Sequence, residues 1–228
     1  MKILLLGLLF LCSMKTFATV DDSNLWVNMN TSGKIAEKTL AYFEVQPRFV
    51  NDMKDTGAVL YRTALGYQLT DHFSLWAGYG FISWKHNSSY HENRPFLQSV
   101  HNFTTGRFTF INRTRFEFRE IQDRPETSLR LRHLLRSLYQ FDEEHKLFVV
   151  LWDELFYNFN TVTATANTVP ATPHEGFDQN RVFLGLGHRF GEKNQHFIEG
   201  GYLNQYIVRF AKANASNHTL AFQYIYNF

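Results

Sequence analysis

The chain has 228 residues, of which 17% are aromatic and 19% charged, with a formal charge of +2 and a mean hydropathy of −0.30. With Lys2 and Lys15 assigned to a leader, 21 basic residues stand against 21 acidic ones, and the basic surplus that a nucleic-acid partner calls for is missing. About 210 mature residues with no break in composition suit one domain.

Met1-Lys2 is a short positive start, Ile3 to Cys12 an apolar run, and Thr16-Phe17-Ala18 a small-residue end. This pattern is a secretory signal over 1–18, cut after Ala18, with the mature domain over 19–228. The apolar run is too short for a spanning helix, which needs roughly 20 residues. The single cysteine, Cys12, leaves with the signal, so the mature chain has neither disulfides nor a thiol nucleophile.

Beyond the leader, segments of alternating polarity recur between turn-forming residues: 24–32, 39–49, 58–69, 73–84, 95–103, 107–119, 128–140, 146–157, 179–190, 196–208 and 217–228. Many run to about 10 or more residues, enough to cross a bilayer at a tilt. Short connections at 70–72, 104–106, 142–145 and 191–195 alternate with longer ones at 50–57, 85–94, 120–127, 158–178 and 209–216. The expectation is an all-β fold: one antiparallel transmembrane β-barrel of 10–12 strands, with short periplasmic turns and longer external loops. Eleven segments conflict with the even count usual in bacterial barrels. Either 24–32 runs through or beneath the barrel, leaving ten strands, or one strand is missed, giving twelve.

Two segments show the inside-out pattern most clearly. Phe108, Phe110, Phe116 and Phe118 oppose Arg107, Arg113, Arg115, Glu117 and Arg119. Leu129, Leu131, Leu135 and Tyr139 oppose Arg130, Arg132 and Arg136. Elsewhere Glu44 and Arg48 oppose Phe43, Val45 and Phe49, and Arg181 opposes Val182 and Leu184. A charge facing hydrocarbon costs roughly 2–4 kcal/mol near the midplane, so the charged faces are expected to look into a lumen. With Arg62, Glu154 and Glu199 they form either a structural salt-bridge network or, because arginine is in excess, a small anion-attracting pore or pocket.

The last segment sets His218, Leu220, Phe222, Tyr224, Tyr226 and Phe228 on one face. An aromatic, lipid-facing strand ending in phenylalanine resembles the C-terminal assembly signal of Gram-negative outer-membrane barrels, with Tyr224, Tyr226 and Phe228 as its residues. That resemblance implies the bacterial outer membrane as location. It also implies membrane lipid, lipopolysaccharide, periplasmic chaperones and the barrel-assembly machinery as partners. Oligomeric state is left open.

Enzymatic alternatives rest on little. His86 and Ser88 lie two apart, and Glu92 would orient the histidine in a lipid hydrolase of deacylase or phospholipase type. The same stretch reads more simply as a polar external loop. Asp153 and Glu154 are adjacent and so point to opposite faces of a strand. No phosphate loop, dinucleotide fingerprint or persuasive metal spacing is present, and no cofactor is expected.

Several pieces together resemble a family of uncharacterised bacterial proteins, domain of unknown function 2490. These are Trp26, Glu44-Val45-Gln46-Pro47-Arg48, the run Arg113 to Arg119, Arg130-Leu131-Arg132, Asp153-Glu154-Leu155-Phe156, Gly176 to Gly187 and Gly201-Tyr202. The resemblance implies an outer-membrane barrel and carries no activity.

Overall fold

Eleven strands close into one barrel in the computed structural model, which describes residues 20–85, 89–163, 173–210 and 213–228. The proposed leader and cleavage site, and the pair His86 and Ser88, lie outside the described residues.

The strands are β1 (Val20–Lys34), β2 (Thr39–Val50), β3 (Asp55–Thr70), β4 (Phe73–Trp84), β5 (Tyr90–Thr105), β6 (Phe108–Ile121), β7 (Ser128–Asp142), β8 (Leu147–Asn158), β9 (Gly176–Phe190), β10 (His196–Ile207) and β11 (Ala215–Asn227). Each pairs antiparallel with its sequence neighbour. The exception is the seam, where β1 lies parallel to β11 with Leu25 beside Leu220 and Val27 beside Phe222. An odd number of up-and-down strands leaves the first and last pointing the same way, so closure has to be parallel. The segment 24–32 is therefore part of the wall, neither beneath the barrel nor inside it, and the expected wholly antiparallel order is corrected at this one seam.

Connections at one end are all short: 35–38, 71–72, 106–107, 143–146 and 191–195. At the other end 51–54 is equally short, 85–89, 122–127 and 208–214 run to five to seven residues, and 159–175 is the long one. The stretch 50–57, expected as a long loop, is a tight turn. Asn51, Asp52 and Met53 take φ of 55°, 52° and 64°, a left-handed run that Asn and Asp tolerate better than most residues. Val20 begins level with Ala215, so the described chain starts at the long-loop end.

Alternation decides what each face meets. Outside, Leu65 is 61% exposed, Leu97 57% and Leu186 62%. Inside, Glu92 and Glu117 are each 1% exposed. The interior mixes these charges with a buried apolar cluster of Trp26, Leu138, Phe148, Val150, Phe183, Phe197 and Leu203. The unusual part is the outside, where large apolar side chains that a water-soluble fold would bury stand exposed in rows. One acid breaks the outer apolar belt: Asp153 faces outward and accepts a hydrogen bond from Asn180, while Glu154 next to it faces in.

Candidate functional site: a charged lumen with a cavity at one end

Inside the wall, eleven arginines face six carboxylates among the described residues. The cations are Arg48, Arg62, Arg94, Arg113, Arg115, Arg119, Arg130, Arg132, Arg136, Arg181 and Arg189. The acids are Glu44, Glu92, Glu117, Glu154, Glu199 and Asp178. Taking so many charges out of water requires close pairing, and most of them are closely paired.

The long-loop half is packed. Glu92 accepts from Arg94 at 2.5 Å and 2.8 Å, from Arg119 at 3.2 Å, and from the Trp84 indole at 3.1 Å. Glu117 receives Arg130 at 2.6 Å and Arg132 at 2.7 Å. Arg130 reaches on to Asp178 at 3.3 Å. Phe156, 1% exposed, is covered by three guanidinium groups, those of Arg181, Arg132 and Arg130, at 4.5, 4.7 and 5.2 Å from its centroid. A guanidinium on an aromatic face keeps part of its charge stabilised where water is absent. These residues form a plug of forked ion pairs and rings.

Toward the short-turn end the lumen opens into a cavity of about 630 Å³. Its lining runs from Lys34, Asp71, His72 and Asn227 at the rim to Trp26, Arg48, Arg62, Phe96, Arg115, Arg132, Glu154 and Arg181 at its inner end. None of Glu92, Arg94, Glu117, Arg119 and Arg130 lines it, so the cavity stops where the plug begins.

Pairing at the inner end is uneven. Glu44 holds Arg62 at 2.6 Å and the Tyr42 hydroxyl at 2.6 Å. Glu154 takes Arg113 and Arg132 at 2.8 Å each, with Arg181 at 3.6 Å. Arg136 pairs with Glu199. Arg48 has only an amide: its Nε and Nη2 donate to Gln46 Oε1 at 3.1 Å and 2.6 Å. The Arg48 guanidinium lies 3.9 Å from the centre of the Trp26 ring, and that of Arg181 lies 4.9 Å from the same ring. Arg115 donates to Gln98 and sits 4.2 Å over Phe96, with its buried Nη1 making no hydrogen bond and reaching Glu117 only at 3.7 Å. Arg189, near the rim, lies over Phe148 and Phe197.

The structure thus brings together Glu44, Arg48, Arg62, Arg113, Arg115, Glu117, Arg119, Arg130, Arg132, Arg136, Glu154 and Arg181 in one lumen. Two positions differ from expectation. Arg107 is at the β5–β6 turn, pairing with Glu143 at 2.9 Å, because β6 begins one residue later. Glu92, expected in an external loop beside His86 and Ser88, is a strand residue whose carboxylate is held in the plug and so is not free to orient a histidine. Arg94, Asp178 and Arg189 were not among the expected lumen residues. Arg189 was legible, since it lies eight residues after Arg181 on the same strand face. Among the described residues no group of three or more His, Cys, Asp or Glu is placed to hold a metal. At the other end of the chain, Phe228 is half-exposed and its N–H donates to Ser32 O at 3.1 Å across the seam.

The fold and lumen define a closed eleven-stranded β-barrel with an ionic interior. The family described as "Protein of unknown function (DUF2490)" matches residues 23–217, and the chain belongs to that family. The match ends inside β11, before Phe228. An uncharacterized protein of Methylorubrum extorquens is 30% identical over 209 residues, covering 89% of this chain and 86% of its own length. No solved structure matches.

Proposed function

We propose that this protein is an integral outer-membrane barrel whose lumen is a blind, anion-attracting pocket rather than a conduit. The observation that carries this reading is the wall's outer face, where leucine, phenylalanine and tyrosine stand exposed while the ionisable rows are buried as forked pairs inside. Strands of 12 to 16 residues exceed the 9–11 or so that a tilted strand needs to cross a bilayer. A parallel seam adds no free edge, so every strand of the wall is paired, as hydrocarbon requires. In this reading the short turns and the mouth of the cavity face the periplasm, and Tyr224, Tyr226 and Phe228 serve assembly. Lipid and lipopolysaccharide surround the wall, and the assembly machinery and chaperones are transient partners. The plug supports binding over conduction, and the cationic surplus supports an anion as the bound species.

Cell fractionation tests the location. The protein is expected in the outer-membrane pellet after carbonate and urea washes, and deleting Phe228 should lower the assembled, heat-modifiable fraction. Recovery of the intact chain in the soluble periplasmic fraction would contradict the proposal.

A further inference from the structure

We infer that the pocket binds an organic phosphate monoester, with the phosphate at the inner end beside Arg48 and the organic group against the walls nearer the mouth. This deepens the blind-pocket reading and rests on it.

Arg48 points to phosphate. It is buried, stacked on Trp26, and paired with a neutral amide where Arg62, Arg113 and Arg132 have carboxylates. Arg181 lies against the same indole, so two guanidinium groups converge on one ring. Arg62, Arg115 and Arg132 line the same inner end. Over the whole lumen the described arginines outnumber the carboxylates by five, as named above. One carboxylate ligand would offset one charge through two oxygens. A phosphomonoester brings about −1.5 to −2 charge and three acceptor oxygens, a better match to several converging guanidinium forks.

The cavity nearer the mouth calls for an organic group, since bare phosphate would leave most of it empty. Its walls there set half-buried apolar side chains, Leu40, Phe73, Trp76 and Trp152, among amides such as Asn30 and Gln68. Apolar side chains interleaved with amides suit a moiety with both an apolar face and hydrogen-bonding groups.

Tryptophan fluorescence reads the site, because Trp26 lies at the inner end. Folded barrel in dodecyl maltoside would be titrated with phenyl phosphate, inorganic phosphate and benzoate. Phenyl phosphate should bind saturably, about tenfold or more tighter than either of the others. Equal binding of inorganic phosphate would overturn the ester, and equal binding of benzoate would overturn the phosphate. Arg48→Gln should weaken phenyl phosphate about tenfold or more, while Arg107→Gln at the outer turn should not. Gln46→Glu is the second variant: it gives Arg48 its missing carboxylate and should weaken binding while the barrel folds normally. Unchanged affinity in folded Gln46→Glu would place the ligand elsewhere. A barrel that resists membrane washing but binds no probe sinks this inference alone. One that washes free yet binds phenyl phosphate sinks the membrane reading alone.

Discussion

Glu117 is the residue on which the plug depends most. It is 1% exposed and takes two guanidinium groups at 2.6–2.7 Å, with a third, that of Arg115, at 3.7 Å. Removing it would strip Arg130 and Arg132 of their shortest carboxylate contacts, leaving only Asp178 at 3.3 Å and Glu154 at 2.8 Å, and breaking a buried pair costs roughly 3–5 kcal/mol. Glu143 is the proper control. Its side chain is exposed and its bond to Arg107 is of the surface kind, worth under about 1 kcal/mol. Glu117→Ala is therefore expected to lower the unfolding temperature on a heat-modified gel well beyond Glu143→Ala, and Glu92→Ala should behave like Glu117→Ala. Equal shifts for all three would mean that the plug is wet and its pairs screened. Much of this network is readable from alternation alone, since Glu44 shares a strand face with Arg48, and Glu117 shares one with Arg113, Arg115 and Arg119. The rings that carry those arginines were not readable. Trp26, Phe96 and Phe156 lie on strands other than those of the guanidinium groups they face, and no spacing along one strand encodes that meeting.

The element that distinguishes this barrel is β1. Its pairing with β11 is in register over thirteen residues and fixes the strand number at eleven. Leu25 and Leu220 face outward as direct parallel partners, so cysteines placed there would lie within disulfide reach. Leu25→Cys with Leu220→Cys should cross-link on mild oxidation, in a chain whose one native cysteine is Cys12. Leu25→Cys with Tyr224→Cys should not, because four residues along a strand displace the partner by about 13 Å. The reverse outcome would mean a different closure. β5 begins at Tyr90, five residues before alternation marks a strand at 95. His91 and Asn93 face outward while Glu92 and Arg94 face in, so both rows are polar and alternation vanishes. Pro95 then looks like a break, although it sits on the outer face opposite Tyr79. Close packing across strands also constrains β9 and β10. Gly185 and Gly201 are direct partners, and a side chain at Gly201 would run into the Leu184 carbonyl.

At the scale of the whole molecule, one rule of parity produces a wall, a plug and a pocket. Even-numbered positions of β1 to β5 turn inward, as in Trp26, Glu44, Arg62, Trp76 and Glu92, and the bulges between Arg48 and Phe49 and between Gln68 and Thr70 sit near strand ends. The division of the lumen into a sealed half and an open half was not legible. It depends on side chains from non-adjacent strands meeting inside the lumen, as Arg130 of β7 meets Asp178 of β9 in the plug. All four tryptophans, Trp26, Trp76, Trp84 and Trp152, belong to inward rows, while phenylalanine, tyrosine and leucine cover the outside. That partition offers the most direct test of an inside-out barrel in lipid. The measurement is tryptophan quenching after reconstitution into vesicles of brominated phospholipid, comparing the native chain with Phe222→Trp, which adds one ring to the outer face beside the seam. The account predicts weak quenching of the four native tryptophans and strong quenching of the added one. Equal quenching of native and added rings, or none of either, would contradict it.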